Sequence, residues 1–94
     1  MDEGDIRRIC TGGKTHWIRS FADIDLDGYR VGAIAIYRDE ALGKYVARLF
    51  ETEGPTEIAM QAENPDDLIR DIRKNTDMFY TTHGASGILV GCFV

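Results

Sequence analysis

Histidine, cysteine and proline each occur only twice in these 94 residues, and each scarcity removes a class of protein. Cys10 and Cys92 stand near opposite ends of the chain with no C-x-x-C pair. They are read as free thiols, not as a disulfide framework. With His16 and His83 they give no zinc-ligand spacing, so no metal and no cofactor is expected. Pro55 and Pro65 stand at element boundaries and leave the interiors of the elements free of breakers. No apolar run approaches the ~18 residues of a membrane span, so no membrane association is expected. The opening "MDEGDIRRIC" has no apolar core of a secretory signal, and the expected location is cytoplasmic. Basic residues are also in the minority, 11 against 16 acidic ones, for a net charge of −5. A sequence-independent grip on phosphates needs clustered Lys and Arg, so direct nucleic-acid binding is not expected.

What is present is an ordinary globular composition, 44% hydrophobic and 29% charged. The chain is read as a single domain, residues 1–94, with a thin core that buries roughly 60–65% of the unfolded surface. No internal repeat or low-complexity tract divides it.

Residues 1–14 form a short polar lead-in, with one helical turn at Asp5–Ile9 ended by Gly12-Gly13. From Thr15 the period becomes two. "THWIRSFADIDL" and "YRVGAIAIYR" flank Asp27-Gly28, and Asp-Gly between two alternating runs predicts a type I′ hairpin. "DEALGK" places Gly43 where a longer hairpin loop needs a left-handed residue, and "YVARLFETE" and "GPTEIAMQAE" continue the pattern. Residues 15–62 thus read as a four-stranded antiparallel meander.

The helix is the clearest element. Asn64 is an N-cap, Pro65 suits the first helical position, and Asp67 is placed for a capping box. Asp66 and Asp67 complement the positive end and Arg70, Arg73 and Lys74 the negative one. Leu68, Ile69 and Ile72 make an apolar stripe that Phe79 extends if the helix spans 64–80. A stop near Asn75, with "MFYTT" opening another strand, is the alternative. "GILVGCFV" within 86–94 is apolar on both alternating faces, as a covered strand is. The fold class is therefore α+β, in the order β-β-β-β-α-β.

Alternation along the second strand puts Ile34 and Ile36 on one face and Tyr29, Val31, Ala33, Ala35 and Tyr37 on the other. One helix covers one face, and the isoleucines are its expected partners. The opposite face, with Tyr45 on the next strand, is then a tyrosine-rimmed surface for a protein partner or a homodimer, unless the N-terminal segment covers it.

"FADIDLDGYR", residues 21–30, is the most site-like stretch. Asp23, Asp25, Asp27 and Gly28 match positions 1, 3, 5 and 6 of an EF-hand loop, but Ile34 occupies the position of the bidentate Glu. On a strand, the three aspartates make a line spaced by about 6.5–7 Å, close to successive phosphates of a nucleic-acid strand. A basic partner groove can read such a line; a solvated edge that discourages aggregation is the plainer account.

Other motifs fail on inspection. "CTGGKT" has Arg8 where a phosphate loop needs its first glycine. "THGASG" lacks the second glycine of a nucleophile elbow. "GKYVARLF" lacks the internal glycine and central aromatic of an RNA-binding strand. Asp67 and Asp71, beside Arg70 and Lys74, read as a solvated helix surface.

The expected function is therefore non-catalytic: a small acidic binding or inhibitory protein whose partner carries a basic, nucleic-acid-binding surface. Phage-type anti-CRISPR or anti-restriction inhibitors, immunity proteins and antitoxins are of this kind. The alternatives are a homo-oligomeric accessory subunit and, behind it, a small enzyme using Cys10, His16 or His83. The candidate partner-binding residues are Asp23, Asp25, Asp27, Tyr29, Val31, Tyr37 and Tyr45.

Overall fold

The computed structural model describes residues 15–82 and 88–94. Its elements are β1 (His16–Trp17), two 3₁₀ turns (Phe21–Asp23 and Leu26–Gly28), β2 (Val31–Asp39), β3 (Lys44–Glu51), β4 (Gly54–Ala62), α1 (Pro65–Asn75), β5 (Tyr80–Thr82) and β6 (Leu89–Phe93). The strands form a six-stranded sheet in the order β1-β4-β3-β2-β6-β5. The α+β plan of a sheet with one main helix is as expected, and several details differ.

The β2–β3 hairpin follows its loop chemistry. The Asp39 carboxylate accepts from the Leu42 amide at 3.1 Å, and Gly43, at φ +67°, donates to the Asp39 carbonyl at 2.9 Å. Gly43 is thus the left-handed residue that the loop requires. The helix also starts as its sequence dictates: Asn64 Oδ1 accepts from the Asp67 amide at 3.1 Å with Pro65 in the first turn. The capping box differs in its return bond, because the Asn64 side-chain amide donates to the Asp67 carboxylate at 3.2 Å. The helix ends at Asn75 and does not reach residue 80. Thr76 is extended and donates both its amide, at 2.8 Å, and its hydroxyl, at 2.9 Å, to the Ile72 carbonyl. Phe79, 80% exposed, adds nothing to the helical stripe and instead pairs with Val94 through two backbone bonds of 2.9 Å.

The first strand departs most from expectation. Only His16 and Trp17 are strand, and they run parallel to β4, opposite Ile58 and Ala59. Phe21–Asp23 and Leu26–Gly28 are 3₁₀ turns, so Asp27-Gly28 is not a hairpin turn. Gly28 is not among the glycines with positive φ, which a type I′ turn requires. The meander is three-stranded, and β5 and β6 form a hairpin whose β6 pairs antiparallel with the other side of β2.

Two cores result. Leu68 and Ile72 of α1 pack with Ile18, Phe21, Ile34, Ile36, Leu49 and Phe93 on the helix-side face. Each fully buried large aliphatic side chain contributes about 1.5–3 kcal/mol. The opposite face carries Ala33, Ala35, Tyr37, Val46, Phe50, Ala59 and Leu89, all buried. The bare tyrosine-rimmed face is therefore not found. The helical turn at Asp5–Ile9, and the N-terminal cover of this face, fall outside the described residues.

A bulge explains why alternation misplaced two residues. Between Val31 and Ala33 the register against β3 slips, with Gly32 as the extra residue. Tyr29 and Val31 consequently pack against the helix-side core, whereas Ala33, Ala35 and Tyr37 lie in the other.

Candidate functional site

The 20–31 segment is shaped by local capping and by one contact from far along the chain. Ser20 caps the first 3₁₀ turn, its hydroxyl accepting from the Ala22 amide at 3.0 Å. Asp25 caps the second, its carboxylate accepting from the Asp27 amide at 3.0 Å. From α1, Asp71 holds the segment in place: one carboxylate oxygen accepts from the Ser20 hydroxyl at 2.5 Å, the other from the Phe21 amide at 2.9 Å. Asn75 adds a longer bond to the Ser20 hydroxyl at 3.4 Å. Asp71 is thus a structural clamp and not a solvated surface acid. Phe21 is driven into the core beside it.

This geometry breaks the expected line of aspartates along one strand: Asp23 ends one 3₁₀ turn, Asp25 is extended between the turns, and Asp27 lies in the second. Asp23, Asp25 and Asp27 are nevertheless all exposed on one segment. The ion pairs between described residues are Arg30–Glu53, Lys44–Glu63 and Arg70–Asp67, so none of the three is paired there. Asp25 serves locally as a cap, its carboxylate accepting from the Asp27 amide.

Two open depressions flank this segment. The larger, of about 480 Å³, is lined by the apolar Leu26, Tyr29, Val31, Met78 and Val94 together with Asp27, Gly32 and Thr76. The second, of about 370 Å³, lies across Leu26 and is lined by Phe21, Ala22, Ile24, Asp25, Asp27 and Asn75. Leu26 and Asp27 line both. Leu26, Met78 and Val94 escaped the sequence reading. The available signal was that Leu26 is an apolar residue enclosed by acids.

The other candidate residues are dispersed. Tyr37 is fully buried, and its hydroxyl accepts from Arg48 Nε at 3.1 Å. Arg48, only 3% exposed, also donates to the Thr56 carbonyl at 2.9 Å and to Thr15 Oγ1 at 2.7 Å. These neutral oxygens satisfy a guanidinium that pairs with no carboxylate among the described residues. Tyr45 is half-buried on the helix-side face, with the Arg38 guanidinium 5.2 Å from its ring centre. His16 is exposed on β1, and Cys10 and His83 lie outside the described residues. Among the described residues, no three His, Cys, Asp or Glu side chains are placed to hold a metal ion. No helix of the described residues is long and apolar enough to cross a membrane.

No protein-family model, no curated protein and no solved structure matches this chain.

Proposed function

We propose that this chain is a small non-catalytic binding protein that engages a partner with a basic surface. Phage-type inhibitors of nucleic-acid enzymes, immunity proteins and antitoxins are proteins of that kind. The observation that carries the reading is the set of three exposed aspartates, unpaired among the described residues, on a segment clamped to α1 by Asp71. A net charge of −5 reinforces their field. Preorganised charge of one sign speeds encounter with a partner of the other sign more than it tightens the final complex.

The test is capture of the partner with the native chain, then association kinetics for the wild type and an Asp23→Asn, Asp25→Asn, Asp27→Asn variant. The triple variant is expected to associate about tenfold more slowly at low salt, the difference closing as salt rises. Equal association rates at low salt would remove these aspartates from the interface.

A further inference from the structure

Resting on that reading, we propose that the groove between Leu26 and Met78 is the anchor site for one apolar side chain of a basic protein segment, a Leu or Phe flanked by Lys or Arg.

The groove has the ingredients of a recognition pocket. Its volume of about 480 Å³ exceeds that of a single large side chain, and Leu26, Tyr29, Val31, Met78 and Val94 supply the apolar half of a lining whose other half is polar. Pockets that hold ligands are mostly apolar with a few placed polar groups. Here the charged group is Asp27, whose carboxylate has no ion pair among the described residues. The neighbouring depression, which shares Leu26 and Asp27, adds Asp25. An apolar anchor in the groove therefore has Asp27 in its own lining and Asp25 in the adjoining depression as partners for basic flanking residues.

The walls are also held in place. Tyr29, Val31 and Met78 pack against the helix-side core. The 3₁₀ segment is fixed at its start by the Asp71 bonds to Ser20 and Phe21. A prearranged pocket loses less ordering entropy on binding.

Charge decides among occupants. An acidic or phosphorylated ligand meets Asp25 and Asp27, and a second copy of this chain brings its own charge of −5. A basic segment with an apolar centre matches both the apolar lining and the carboxylates. Buried apolar anchors inside a polar rim are the usual arrangement of interface hot spots.

The experiment is amide NMR titration of the full chain with three five-residue peptides, KKFKK, KKSKK and EEFEE, blocked at both ends. KKFKK is expected to shift the amides of Leu26, Tyr29, Val31 and Met78 saturably, at least fivefold more tightly than KKSKK and tenfold more tightly than EEFEE. Leu26→Ser and, as a second variant at a separate wall, Met78→Gln should each weaken KKFKK at least threefold while leaving KKSKK unchanged. If KKSKK binds the aspartate segment as tightly as KKFKK, the anchor site is wrong and the acidic docking surface stands. If neither cationic peptide perturbs residues 23–31, both fail. Groove shifts that change on dilution of the protein alone would make the occupant a second copy and overturn the proposal.

Discussion

Asp71 shows how one side chain can set the form of a segment 50 positions away in sequence. Its two carboxylate oxygens accept from the Ser20 hydroxyl and the Phe21 amide, and both bonds are partly buried. Hydrogen bonds to a charged partner contribute about 1.5–3 kcal/mol each, and an orphaned amide adds a desolvation penalty. Asp71→Ala is therefore expected to lower unfolding free energy by about 2–4 kcal/mol in urea, at unchanged slope. A loss below about 0.5 kcal/mol would mean that the contact does not hold the segment. This residue also shows why the acidic stretch reads as a strand from its sequence and folds otherwise. The period-two pattern of Asp23, Ile24, Asp25, Leu26 and Asp27 is that of a half-buried strand, and its local residues carry no sign of the distant clamp. What distinguishes it is Ser20, a good cap, but a cap declares its role only once its turn is known.

At the scale of elements, those with strong local chemistry were legible. Asn64-Pro65 opens α1, and Gly43 closes the β2–β3 hairpin, because each uses a residue whose backbone preference is nearly obligatory. Sheet irregularities were not, since one extra residue reverses which face every later side chain takes. Gly32 marks one such place. Gly91 marks another kind, a close approach in the β5–β6 hairpin. A methyl group there would lie 2.5 Å from the Tyr80 hydroxyl oxygen and 2.7 Å from the Thr81 carbonyl oxygen, and the second is backbone that cannot swing away. Gly91→Ala is expected to destabilise by about 1–3 kcal/mol, read as a lowered melting temperature. Equal melting temperatures would show that the hairpin shifts freely.

Tyr80 itself meets Phe93 in a tilted ring contact with centroids 4.9 Å apart, and partial burial, followed by the charge of a Cys92 thiolate, raises its phenol above its ordinary value of 10.0. Arg73 opposes this and Asp66 adds to it. The native state thus holds the phenolic proton more tightly than the unfolded chain does. The contribution is fully present below about pH 10 and is lost as pH rises through the folded value. Denaturation midpoints from neutral to alkaline pH should fall more steeply for the wild type than for Tyr80→Phe. Parallel curves would place the alkaline loss elsewhere.

For the whole molecule, the burial of both sheet faces alters where association can occur. Ile34 and Ile36 lie under α1, and Ala35, Tyr37 and Val46 are fully buried on the other side. Among the described residues the sheet ends at β1 and β5, of 2 and 3 residues, and short edges are poor templates for pairing. Among the described residues the exposed large apolar side chains are Trp17, Leu42, Phe79 and Val94. Trp17 sits on one edge strand, Leu42 in the β2–β3 loop, and only Phe79 and Val94 are neighbours, beside the opposite edge. A stable dimer buries roughly 1,200–2,000 Å² in total, more than one such pair supplies. The Cα radius of gyration, 11.9 Å, is that of a compact chain of this length. Sedimentation at micromolar concentration is therefore expected to give a monomer, with Phe79→Ser sedimenting identically. A wild-type dimer that Phe79→Ser dissolves would instead make the β5 edge the self-association surface, and the short edge would have to be extended by pairing across the two copies.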